Sequence, residues 1–130
     1  MIVTIHDIGT SYQSLHTFCC LPSMQQVAER SLIVHVSLPG QHPGAPDLQS
    51  DYPSMQELSE GVLAILNLLQ LGQVIVLGVG AGANIGVRLS LLDPNRVLGL
   101  VAVNPILSSP GMLDQVRARA VVADLKVKLS

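Results

Sequence analysis

Residues Val74 to Asn84 read VIVLGVGAGAN, an apolar run that enters the turn Gly78-Val79-Gly80-Ala81-Gly82. A strand, a glycine-rich turn and the start of a helix form the frame of the nucleophile elbow, G-x-S-x-G, whose middle serine attacks an acyl carbon. The outer glycines let the backbone bend and let strand and helix approach. Here the middle position is Gly80, which has no side chain and therefore no nucleophile. A second requirement does not depend on that alignment. Elbow hydrolases run in the chain order nucleophile, acid, histidine. The four histidines, His6, His16, His35 and His42, all precede the turn, so none stands where the base belongs.

The same glycines fit a second chemistry. Gly78-x-Gly80-x-x-Ala83 matches the dinucleotide fingerprint G-x-G-x-x-G/A. That site also needs an acidic residue, about 20 residues further on at the end of the next strand, to hold the ribose. The next apolar run ends at Val103-Asn104 without one, and the turn follows the third such run rather than the first. A third reading is steric. The glycines permit close packing at a sharp turn, and Gly80 relieves the backbone strain that an elbow imposes.

Other reactive side chains are scattered. His6-Asp7-Ile8-Gly9 follows the first apolar run, where hydrolases carry a His-Gly-type oxyanion loop. His6 and Gly9 read as the remnant of that loop or as an ordinary turn. His35 alternates with apolar neighbours and reads as a satisfied, buried or half-buried histidine. Cys19 and Cys20 are adjacent, which disfavours a disulfide between them. They read as reduced, small buried hydrophobes. His16, Cys19 and Cys20 lack the paired spacing of a zinc site. No cofactor-binding or metal-binding residue is assigned.

Composition narrows the class. At 130 residues the chain fits one domain, and 48% hydrophobic against 12% charged residues is too apolar for disorder. A net charge of -2, 2% aromatics and no Lys/Arg cluster give no basis for a nucleic-acid partner. The N-terminus, MIVTIHD, lacks the basic region and long apolar core of a signal peptide. Residues 61–92 are apolar but broken by Asn67, Gln70, Gln73, Asn84 and Arg88, so no clean membrane span of about 20 residues is present. The chain is expected to be soluble and cytoplasmic.

The elements that would position the turn alternate. Strands are expected at Ile2–Ile5, Leu32–Val36, Val74–Val79 and Val97–Val103. The third is apolar throughout, which suits a parallel strand buried on both faces. A helical stretch spans Leu15–Ala28, with a start or restart at the Ser-x-x-Gln box Ser23-Met24-Gln25-Gln26. Residues 41–53 are a Pro/Gly/Ser/Asp loop. Ser54-Met55-Gln56-Glu57 is a full capping box before Leu58, Val62, Ile65, Leu66 and Leu69. A helix over Ala81–Leu92 stops at Asp93-Pro94, and Met112–Val127 has a helical period. Alternating strands and helices predict an α/β fold, a parallel sheet of about four strands with helices on both faces.

Several stretches together resemble the N-myc downstream-regulated (NDRG) family. They are Thr4-Ile5-His6-Asp7-Ile8-Gly9, Val34-His35-Val36 with Pro39-Gly40, Gly44-Ala45-Pro46, Tyr52-Pro53-Ser54-Met55 and Glu57-Leu58. The turn Gly78 to Ala83 follows, then Val97-x-Gly99-Leu100-Val101 with Asn104. They occur in family order from Thr4 to about Pro105. The resemblance implies an α/β-hydrolase fold without catalytic residues. Gly78, Gly80 and Gly82 would then be a degenerate elbow. It also implies a cytoplasmic protein acting through protein partners in signalling, stress response, differentiation, growth control or vesicle trafficking. Departures are Ser37 in place of the family's Asp, and Met112 and Gln115 in place of tryptophans. A complete hydrolase sheet has eight strands, so residues 1–130 read as one truncated domain, with apolar edges exposed. The competing readings are a hydrolase with an atypical nucleophile (Cys19, Cys20 or Asp7) and a nucleotide-binding module built on Gly78–Ala83.

Overall fold

The computed structural model describes residues 1–105. Their elements run β1 (Ile2–Ile5), α1 (Tyr12–Cys19), α2 (Gln25–Arg30), β2 (Ile33–Val36), α3 (Met55–Leu68), β3 (Val74–Val79), α4 (Ala81–Leu92) and β4 (Val97–Val103). The strands form one parallel sheet in the order β2-β1-β3-β4. The helical period over Met112–Val127, with Met112 and Gln115, lies outside the described residues.

Side-chain alternation along the strands creates two unlike faces. Val3, Ile5, Val36, Val74 and Val76 point to one face, where Leu58, Val62 and Leu66 of α3 and Ile85 and Leu89 of α4 close the core over them. Each fully buried aliphatic side chain of this kind stabilises the fold by roughly 1.5–3 kcal/mol. Thr4 and His35 alternate to the other face, where α1 packs on β1 and β2. There Thr4 Oγ1 and His35 Nδ1 share a 2.6 Å hydrogen bond. The His16 ring of α1 meets His35 edge-on, with ring centroids 5.3 Å apart. Burial first, then the neighbouring His16, hold the His35 imidazole below its ordinary range. Helices therefore cover both faces, as alternation predicts.

Three expectations change. The uninterrupted apolar run of β3 suggests burial on both faces, yet Val74 and Val76 are buried while Ile75 is 40% exposed. The face that carries Ile75 is the one on which α1 packs chiefly against β1 and β2. The stretch from Leu15 to Ala28 restarts near the Ser23 box, as expected, with α2 from Gln25, but α1 begins three residues before Leu15. Ser11 caps it, its hydroxyl accepting from the Gln13 N–H. Ser23 caps nothing. Pro22 starts a short 3₁₀ turn over Pro22–Met24, so Ser23 already has helical backbone and cannot take the extended geometry of an N-cap.

The Ser54–Glu57 box forms in full. Ser54 Oγ accepts from the Glu57 N–H at 3.2 Å, and Glu57 Oε2 accepts from the Ser54 N–H at 2.8 Å. The Ser54 backbone N–H, then its hydroxyl, hold the Glu57 carboxyl below its ordinary range. Because the folded value is the depressed one, this contribution is present above the ordinary carboxylate range and is lost as pH falls through the depressed value. Ser54→Ala should destabilise the chain by about 1 kcal/mol in urea unfolding at neutral pH. The difference should shrink in acid by the hydroxyl's share alone, since alanine keeps the residue-54 N–H that Glu57 accepts from, and an unchanged difference would show that the hydroxyl acts only on the Glu57 N–H.

Candidate functional site at the β3–α4 turn

Strand order reverses between β1 and β3. The chain passes from β1 to β2 on one side and returns to place β3 on the other. In open parallel sheets the crevice outside the carboxyl ends of two such strands is where ligands bind. Ile5 is level with Gly78, so the segment after β1 and the turn after β3 emerge side by side.

The turn keeps the backbone of an elbow. Gly80 has φ 57° and ψ -115° and is the N-cap residue of α4. That region is costly for any residue with a Cβ, and glycine enters it freely. Gly80 donates its N–H to the Val103 carbonyl at 2.9 Å, tying the turn to the end of β4. The outer glycines serve a different need, close approach. A Cβ on Gly78 would lie 2.5 Å from the Gly82 carbonyl oxygen and 2.7 Å from the Ala83 nitrogen. A Cβ on Gly82 would lie 2.6 Å from the Ile5 carbonyl carbon and 2.7 Å from the His6 carbonyl oxygen. Helix α4 thus rests backbone to backbone on the end of β1.

The His6-Asp7-Ile8-Gly9 segment meets this turn. Asp7 Oδ1 accepts from the Ala81 N–H at 2.8 Å and from the Ile8 N–H at 2.8 Å. A Cβ on Gly80 would collide with the Asp7 carboxyl group. His6 is 1% exposed and holds the segment from beneath. Its Nδ1–H donates to the Asp7 carbonyl at 2.8 Å, and its Nε2 accepts from the Leu38 N–H at 3.0 Å. Those two bonds define the Nδ1–H tautomer. Thr10 closes the turn on the Asp7 carbonyl through its N–H and its hydroxyl. Gly9, at φ 84°, donates its N–H to Gln41 Oε1 at 2.8 Å. Sequence spacing places His6 and Gly9 near the turn. It gives no sign that Asp7, 74 residues from Ala81, is the group that touches it.

The remaining candidates lie elsewhere. His16, Cys19 and Cys20 are on α1 or at its end, across the sheet from α4. Cys19 is buried, and that burial first, with Cys20 second, pushes its thiol up, which suits an inert core residue. Cys20 is exposed rather than buried, its Sγ 3.7 Å from His16 Nε2. It borders a shallow groove of about 460 Å³ with Pro22, Gln25, Ala28 and Glu29. Asp7 alone of the atypical nucleophiles reaches the turn, and the oxygen it presents is already bonded to two amides. The dinucleotide reading meets the same carboxylate. A pyrophosphate would need the N-terminus of α4, where Asp7 places a negative charge. Among the described residues no three of His, Cys, Asp and Glu are grouped to hold a metal, and no helix is long and apolar enough to cross a membrane.

Comparison with known proteins bears on the family and the fold. The family model described as "Ndr family" matches residues 1–129. "Uncharacterized protein ZK1073.1" of Caenorhabditis elegans is 34% identical over 114 residues, covering 88% of this chain and 35% of that protein. "Protein NDRG2" of Homo sapiens is 37% identical over 120 residues, covering 87% of this chain and 31% of that protein. The chain thus spans about a third of the length of these relatives. Among solved structures, a carboxylesterase study of Nitrososphaera gargenis gives a chain with TM-score 0.74 at 20% identity, covering 94% of this chain and 44% of that one. A hydrolase from Pseudomonas aeruginosa gives TM-score 0.70 at 22% identity, covering 93% and 43%. At those identities the likeness establishes the α/β-hydrolase fold and nothing about activity.

Proposed function

The chain belongs to the Ndr family, and from that premise we propose that it is a non-enzymatic α/β-hydrolase-like protein working through protein partners. Residues 1–130 belong to one such domain. The site of action is the cytoplasm, in signalling, stress response, differentiation, growth control or vesicle trafficking, as the resemblance implies. One observation carries the non-catalytic part. Gly80 stands in elbow backbone geometry at the nucleophile's place, with no side chain to attack. Gly78 and Gly82 then serve the frame, and His6 and Gly9 belong to what was an oxyanion loop.

The purified chain should show no labelling by a fluorophosphonate probe and no turnover of a panel of p-nitrophenyl esters. Gly80→Ser should remain silent in both assays, since the Asp7 carboxyl already fills the space beside position 80. Ester turnover that co-purifies with the wild-type chain through successive columns would sink this reading.

A further inference from the structure

We propose that Asp7 is the built-in occupant of the oxyanion hole, an autoinhibitory contact that shuts the turn against an incoming acyl oxygen. The proposal rests on reading the turn as a silent elbow and goes beyond it. It says what fills the site, where the missing serine says only what has gone.

Three observations converge. The hole beside an elbow is made from the N–H of the residue after the nucleophile and an N–H of the loop that follows a neighbouring strand. Ala81 and Ile8 are those two positions, and both donate at 2.8 Å to the same oxygen, Asp7 Oδ1. Donors at about 2.7–3.1 Å on one anionic oxygen are what an oxyanion hole offers its transition state. The positive end of α4 points at the same carboxylate and favours it further. Finally, the volume is exclusive. A Cβ at position 80 would overlap the Asp7 carboxyl, so a side chain at the elbow and Asp7 in the hole cannot coexist. Asp7 is held there from behind, its carbonyl receiving His6 Nδ1–H and both Thr10 donors. The loss of the nucleophile and the filling of the hole are one steric arrangement. A side chain restored at position 80 therefore requires the Asp7 carboxyl to leave the hole.

A double-mutant cycle on the full chain tests this. The variants are Gly80→Ala, Asp7→Gly and the pair, followed by thermal unfolding. The backbone strain of alanine at φ 57° is present in both backgrounds and cancels. Gly80→Ala should lower Tm by at least about 5 °C more with Asp7 present than without it. Equal effects in the two backgrounds would overturn the proposal. Amide exchange gives a second readout that survives if Asp7→Gly does not fold. In Asp7→Asn, which keeps the shape and removes the charge, the Ala81 and Ile8 amides should both exchange faster, by roughly threefold or more. Unchanged exchange at those two amides would overturn it as well. Neither readout uses activity. Ester turnover by the wild type would sink the non-catalytic reading, whereas an additive cycle would sink only the role given to Asp7.

Discussion

Gly82→Ala should leave the chain without a native fold. Its soluble yield should collapse, and circular dichroism should show no cooperative melt. Two effects oppose each other. Alanine is the better helix former, by about 1 kcal/mol over glycine inside a helix. Against that, the new methyl would enter the backbone of Ile5 and His6 at the end of β1. No rotamer change can relieve a collision with main-chain atoms. Relief requires moving α4 off the sheet, and α4 carries Ile85 and Leu89, both 0% exposed in the core. Overpacking that side chains can absorb costs about 1–3 kcal/mol. One that displaces a helix belongs among the rare losses above about 4 kcal/mol, a large share of the roughly 5–15 kcal/mol that holds a domain folded. A cooperative melt within a few degrees of wild type would show that the contact between α4 and β1 is looser than described. Gly61→Ala is the control. It lies in α3 with nothing within 4 Å of its Cβ, and should be neutral or stabilising.

His6→Ala should destabilise the chain by about 2–4 kcal/mol, read as a lower urea midpoint with the slope unchanged. The imidazole is fully enclosed and uses both nitrogens, one towards Asp7 and one towards Leu38. Truncation leaves the Leu38 N–H without its acceptor beside a side chain that is 2% exposed. A buried unsatisfied donor costs about 1–3 kcal/mol, and the cavity left by the ring adds to it. His6→Gln should recover part of the loss if its amide oxygen reaches the Leu38 N–H. A loss under about 1 kcal/mol for His6→Ala would mean that water replaces the ring, and that it does not brace the loop.

Both predictions concern residues whose importance was unequally legible in the sequence. Strand and helix positions around the turn were plain, because Val74–Val79 is short, apolar and β-branched and Ser54–Glu57 is a complete cap. Gly80 was legible as a missing nucleophile, since one position in a fixed frame decides it. The work of His6 was hidden. A lone histidine after a strand looks the same whether it lines an oxyanion loop or staples two buried amides. Asp7 was hidden for a related reason. Its partner Ala81 becomes a neighbour only once β1 and β3 pair, and strand order is set by tertiary packing rather than by any local pattern. Ser23 failed in the opposite sense. Its local motif was right, but Pro22 started the turn first.

The placement of β1 beside β3 also governs when the turn can be completed. Ile2 pairs with Ile75 and Ile5 with Gly78, so the central ladder closes only after a long intervening chain has been made. Closing such a loop carries an entropic cost that local contacts do not. During synthesis, at roughly 5–20 residues per second, β1 has β2 as its neighbour among the described strands for several seconds before β3 is made. Its other edge stays open until Val74–Val79 arrives. A hydrogen bond that spans 74 residues therefore cannot form until Ala81 has been made. While it is exposed, the inner edge of β1 can pair with a wrong strand.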